Sequence, residues 1–223
     1  MQKFLPLKGY YAQIKLLTVF FGANDACMPG QLQHVDIQNY VDTVRDIILY
    51  PLFQQGTCRT RIIVITPPPV NEHQFEKTAS GHFQRRAGIT SQYAQAAREV
   101  AEACGAHVLD FWTVLMDKVG WRPSMGRECC CEHLRYQPDH DIPASTIEHI
   151  PGCSHIPANR SHANHQLSDF LVDGLHLTEL GYNVLFSEIM KLIQQDLPEC
   201  TPENLPFVVP EWRKALELPE YCK

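Results

Sequence analysis

Nowhere in the 223 residues is there an apolar run of the roughly 20 residues that a membrane-crossing helix needs. The amino-terminal stretch MQKFLPLKGYYAQIKLL has no clean apolar core, because Lys8 and Lys15 interrupt it, so the pattern of a secretory signal is lacking. Basic residues are in the minority. The 19 Lys and Arg against 25 Asp and Glu give a formal charge of −6, and with no basic stripe the composition argues against nucleic acid as a partner. Cysteine is not scarce, but its count of nine is odd. Without a signal pattern the expectation is reduced thiols and a cytoplasmic protein. What is present, 44% hydrophobic residues in a chain of this length, suffices for one domain with a sizeable core.

The chain is organised around residues 14–25, IKLLTVFFGAND. Leu16, Leu17, Val19, Phe20 and Phe21 form a nearly unbroken apolar run that suits a strand buried on both faces, as in the middle of a parallel sheet. Gly22 ends the run, and Asn24 and Asp25 place two short polar side chains at its carboxyl end, where ligands sit in open α/β sheets. After a loop through Pro29 and Gly30, Asp36 caps a helix on which Ile37, Tyr40, Val41, Val44, Ile47 and Ile48 recur at helical spacing, closing near Gly56. RIIVIT (residues 61–66) is a second strand, stopped by Pro67, Pro68 and Pro69. Tyr93, Ala97, Val100, Ala101 and Cys104 mark another helix with Gly105 as its stop, HVLD (107–110) a third strand, and Phe111, Trp112, Leu115, Met116 and Val119 a short helix. Strand and helix alternate with connections of the length that parallel crossovers need, which predicts an α/β doubly wound sheet.

Residues 124–149 break the rhythm with an irregular Cys- and His-rich insertion. Order returns at Phe170, Leu171 and Val172, and Thr178 caps a helix whose apolar face is Leu180, Val184, Leu185, Ile189, Leu192 and Ile193. The domain is expected to span residues 1–197, followed by a proline-spaced tail over 198–223 that wraps its surface.

Two sites hold residues with chemical potential. Asp173 and His176 lie three apart before a helix, so the carboxylate can accept the Nδ1 proton and leave Nε2 as a general base. The same spacing also arises from a helix-start cap beside an incidental histidine. Asn24 is either the centre of an Asx-turn or an amide donor aimed at an oxyanion, a role worth about 10²–10³ in rate. Asp25 is better suited to holding the loop than to reacting.

Together the two sites resemble a known family. Gly22-Ala23-Asn24-Asp25 resembles the third motif block of the SGNH (GDSL-type) hydrolases, and Asp173-Gly174-Leu175-His176 their fifth. VFFGANDA, ITPPPVNE, IPAN and DGLHLTELGY look like the isoamyl acetate-hydrolysing esterase branch. The resemblance implies a flavodoxin-like fold and hydrolysis of small, short-chain esters without a cofactor, by a serine in a Gly-Asp-Ser block. It implies His176 as base, Asp173 as its orienter and Asn24 as oxyanion donor.

The chain departs from the family in one respect. No serine precedes Ser80 and no Gly-Asp-Ser occurs anywhere. The expectation is an incomplete chain lacking the nucleophile and the first strands, which leaves the strand of residues 14–25 as a sheet edge. The alternative is a non-catalytic member that binds a ligand or partner. Cys27, just past the GAND turn, is the nearest substitute nucleophile, but a thiolate needs a lowered pKa, and the simpler expectation is a packing thiol. Ser154 and Ser168 sit near the Asp-His block, off any strand-to-helix elbow. Cys129, Cys130, Cys131 and His133, with His149, Cys153 and His155, suggest zinc. Three adjacent cysteines do not pair at the C-x₂₋₄-C spacing that a tetrahedral ion requires, so no metal is expected.

Overall fold

The computed structural model describes residues 14–50, 60–72, 74–75, 84–120 and 166–205. Among these, three short strands, β1 (Leu16–Phe20), β2 (Arg61–Ile65) and β3 (His107–Leu109), form a parallel sheet in the order β1-β2-β3. A sheet ordered as its strands occur is what the last three strands of a flavodoxin-like 2-1-3-4-5 sheet give. Register runs from Leu16 opposite Arg61 to Phe20 opposite Ile65, and from Ile63 opposite His107 to Ile65 opposite Leu109.

The period-two alternation of β2 explains the layers. Ile62 and Val64 point to one face, where Tyr40, Val44 and Ile48 of α1 (Ile37–Ile48) and Tyr93, Ala97 and Val100 of α2 (Ala87–Ala103) cover them. Ile63 and Ile65 point to the other, against α3 (Phe111–Lys118), α4 (Leu167–Phe170) and α5 (Glu179–Asp196). Helices on both faces make the sheet doubly wound, as the sequence pattern predicts. β2 is therefore the strand buried on both sides, four of its five residues being buried.

The expectation of a doubly buried β1 is corrected. Of its five residues only Val19 is buried, and Phe20 and the following Phe21 are 36% and 59% exposed. Among the described strands β1 has one partner, β2, so it is an edge, as the family resemblance implies. Phe20 keeps one aromatic contact, edge-on to Phe111 with ring centroids 6.1 Å apart.

Asp36 caps α1 by accepting from Gln38 N–H at 2.9 Å. The helix ends at Ile48, short of Gly56, because Pro51 lacks an N–H and disfavours helical backbone in the residue before it. α2 begins at Ala87, well before Tyr93, because its cap is remote. Glu72, 1% exposed, accepts from Ala87 N–H at 2.7 Å and pairs with Arg86 at 2.9 Å. Gly105, at φ 70°, closes α2 as expected. Asp110 ends β3 and caps α3, and Thr178 caps α5, accepting from Gly181 N–H at 3.1 Å. Leu180 is 40% exposed and lies off the buried face of α5 assigned to it from sequence. Beyond α5 the chain docks: Cys200 is buried and Glu199 pairs with Arg61 at 2.7 Å. The rest of the expected tail, and the 124–149 insertion, lie outside the described residues.

Candidate active site

The Asp-His block forms a four-residue turn between α4 and α5, closed by an antiparallel bridge between Leu171 and Leu177. Asp173 organises it. One carboxylate oxygen accepts from the N–H groups of Leu175 at 3.0 Å and His176 at 2.9 Å. The other lies 2.7 Å from His176 Nδ1, which donates to it in the Nδ1–H tautomer. Burial alone would raise the Asp173 carboxyl. The two N–H donors, the imidazole bond and the imidazole charge outweigh it and hold the carboxyl below its ordinary value. His176 projects outward, its side chain 74% exposed, and Nε2 has no partner among the described residues. The pair thus has the orientation a general base needs.

This turn is pinned to the loop that leaves β2. Asn71 N–H donates to Gly174 carbonyl at 2.8 Å, and the Gln74 side-chain amide donates to the carbonyls of Leu171 and Val172, each at 2.8 Å. Gly174 is required at the crossing. Its φ is +88°, and a Cβ there would meet the Asn71 carbonyl oxygen at 2.5 Å and Phe75 N at 2.7 Å.

The GAND loop leaves the carboxyl end of β1. Gly22 turns at φ +108°, and its N–H donates to Asp25 Oδ2 at 3.2 Å, so Asp25 holds the loop as the sequence suggests. Asn24 is exposed, and its side chain is not confined to an Asx-turn. Its Oδ1 accepts from Arg85 Nη2 at 3.0 Å, and Nδ2 has no partner among the described residues. Arg85 also donates to Ala23 carbonyl and, at 3.0 Å, to Gln33 Oε1, and its guanidinium lies 5.6 Å from the Phe75 ring centroid. Phe75 backs Gly174 on one side and Arg85 on the other, so the Asp-His turn and the GAND loop share one support at the carboxyl end of the sheet.

Arg85, Gln33 and Gln74 escape sequence reasoning. Gln84-Arg85-Arg86 reads as a polar lead-in to a helix, and nothing local marks the first arginine as buried. Cys27 is 3% exposed with its thiol 3.9 Å from Gln33 Oε1. Burial pushes that thiol up, Arg85 opposes this and Asp25 adds to it, so the group is a protonated packing thiol. Ser168 is exposed within α4, and Ser154 lies outside the described residues. The cysteine and histidine cluster of residues 129–155 also lies outside them. Among the described residues no three His, Cys, Asp or Glu side chains are arranged to hold a metal ion.

The sequence profile of the GDSL-like Lipase/Acylhydrolase family matches residues 2–128. The Isoamyl acetate-hydrolyzing esterase 1 homolog of Mus musculus is 28% identical over 206 residues, covering 90% of this chain and 62% of its own. The Isoamyl acetate-hydrolyzing esterase of Saccharomyces cerevisiae is 23% identical over 216 residues, 96% of this chain and 72% of its own. A lipase/acylhydrolase from Enterococcus faecalis superposes with a TM-score of 0.47 at 18% identity, over 81% of this chain and 61% of that one. The chain thus spans 62% of the length of the mammalian relatives it matches.

Proposed function

The chain belongs to the GDSL-like lipase/acylhydrolase family, and we propose that its site serves the hydrolysis of short-chain carboxylic esters by acyl transfer through a serine. The observation that carries this is the Asp173–His176 pair, with Nδ1 bonded at 2.7 Å and Nε2 left open. His176 Nε2 takes the proton of the serine hydroxyl as its oxygen bonds to the ester carbonyl carbon. Asp173 holds the tautomer and faces the imidazolium that forms. The carbonyl oxygen takes the negative charge, and Asn24 Nδ2 donates to it. Collapse breaks the bond to the alcohol oxygen, which takes the proton back from His176. Water repeats the two steps and releases the acid.

The nucleophile of this scheme lies in a Gly-Asp-Ser block, which the 223 residues do not contain. The chain as written is therefore expected to turn over ester weakly or not at all, since a site without its serine retains only the contribution of donors and binding, about 10³–10⁴ over water in serine proteases. That same absence favours a second reading, a non-catalytic member that binds a ligand or partner. Hydrolysis of a short-chain aryl ester, measured for this chain and for a form extended by any in-frame coding sequence upstream of Met1, separates the two. Turnover that appears with an upstream Gly-Asp-Ser and vanishes in His176→Ala is the expected result. Robust turnover that survives His176→Ala would sink the assignment. A reducing, cytoplasmic setting is part of this proposal, supported by Cys27 and Cys104, which are in no disulfide among the described residues.

A further inference from the structure

Glu72 and Arg85 are the two buried side chains of the Asp, Glu, Lys and Arg types among the described residues, and they are treated differently. Glu72 has Arg86 as counter-ion, whereas Arg85, 5% exposed, has no carboxylate within ion-pair distance among the described residues. Among the described residues its partners are neutral oxygens, those of Ala23, Asn24 and Gln33, with the face of Phe75 beneath and Nε without a hydrogen-bond partner. These groups solvate the guanidinium without neutralising it. Burying an uncompensated charge is costly, so its location calls for an explanation beyond packing.

The guanidinium also settles the orientation of Asn24. Arginine only donates, so the atom 3.0 Å from Nη2 has to be the amide oxygen, and a flipped amide would set N–H against N–H. The geometry points to Arg85 as the positioning residue of Asn24: it locks the amide with Nδ2 outward and sets a fixed positive charge behind it. This rests on the oxyanion role proposed for Asn24. A donor fixed beforehand needs no reorganisation when charge develops on the substrate, and an amide whose oxygen accepts a charged bond donates more strongly from its nitrogen. Three acceptors on one fork explain why arginine suits the position and lysine does not. Mere attachment of the GAND loop does not require the side chain, because main-chain contacts already supply it: the Cys27–Arg85 bridge and the Met28 N–H bond to Gln84 carbonyl at 2.9 Å.

The test is nitrogen relaxation of the Asn24 side-chain amide in the full chain. Its order parameter is expected near the rigid-backbone value of about 0.85, and in Arg85→Lys below about 0.6, with the backbone amide spectrum retained. An amide equally ordered in the Lys variant would overturn the proposal. Where Arg85→Lys does not fold, Asn24→Asp with Arg85 intact supplies the second measurement. The introduced carboxyl is expected to titrate about 1–3 pH units below the ordinary Asp value of about 3.9, and titration at that ordinary value overturns the proposal equally. Neither measurement uses turnover. Failure of the ester-hydrolase proposal, seen as no His176-dependent cleavage in any form of the protein, is thus distinguishable from failure of this one.

Discussion

The two loops that make up the candidate site are held in opposite ways. The Asp173–His176 turn is self-contained: one carboxylate satisfies two N–H groups and an imidazole, all within three residues. The GAND loop has its own local bond, from Gly22 N–H to Asp25, but the side chain that matters there is governed by Arg85, 61 residues away in sequence. A base needs a fixed tautomer, which a neighbouring carboxylate supplies. The oxyanion donor proposed at Asn24 needs a fixed dipole in a positive field, and the buried Arg85 from another element would provide it.

The remotely held side is expected to break hardest. Glu72→Ala removes the carboxylate that pairs with Arg86 and caps the first turn of α2, directly beside Arg85. Removing one member of a buried ion pair costs about 3–5 kcal/mol. The midpoint of urea unfolding should fall accordingly, and a loss under 1 kcal/mol would show that α2 does not depend on this carboxylate. Next comes Gly174→Ala, which sets a Cβ 2.5 Å from the Asn71 carbonyl oxygen at φ +88°. It should cost about 2–3 kcal/mol, against the few tenths typical of a surface change. Circular dichroism melts of this variant, beside a Gly30→Ala control where nothing lies within 4 Å, isolate the crossing from the backbone strain the two positions share.

The smallest effect is in acid. The folded carboxyl of Asp173 sits below its ordinary value, so as pH falls the unfolded chain takes up the proton first. The contribution is therefore complete above the unfolded value of about 3.9 and is lost as pH drops through the lowered folded one. Asp173→Asn should flatten that part of the stability profile. An unchanged acid limb would mean that the turn does not hold this carboxylate in its charged form.

How much of this was legible in the sequence follows from the same contrast. The Asp-x-x-His spacing, the caps at Asp36 and Thr178, the stop at Gly105 and the alternation of strand and helix are local signals, and the structure places each where its residues predict. What the sequence hides is remote. The start of α2 was obscured because its cap comes from Glu72, 15 residues earlier. Nothing local marks Arg85 as buried, because its acceptors belong to a loop at the far end of another strand. The apolar run of β1 reports hydrophobicity but not which neighbour covers it, so it suggests a central strand, and only the family resemblance marks it as an edge. Family motifs supply the roles proposed for Asn24, Asp173 and His176, but Arg85, which bonds the Asn24 amide oxygen, lies outside all of those motifs.

The grip of Gln74 on the carbonyls of Leu171 and Val172 joins residues 97 and 98 positions apart. Closing so long a loop has an entropic cost that must be met before those contacts return anything, and non-local contacts of this kind slow folding. The strands and the first two helices can assemble from nearer neighbours, while the histidine waits for the last third of the chain to return across the sheet. In refolding, helical signal should therefore recover ahead of the Asp173–His176 turn, which docks when Gln74 finds its two carbonyls and Asn71 N–H finds that of Gly174.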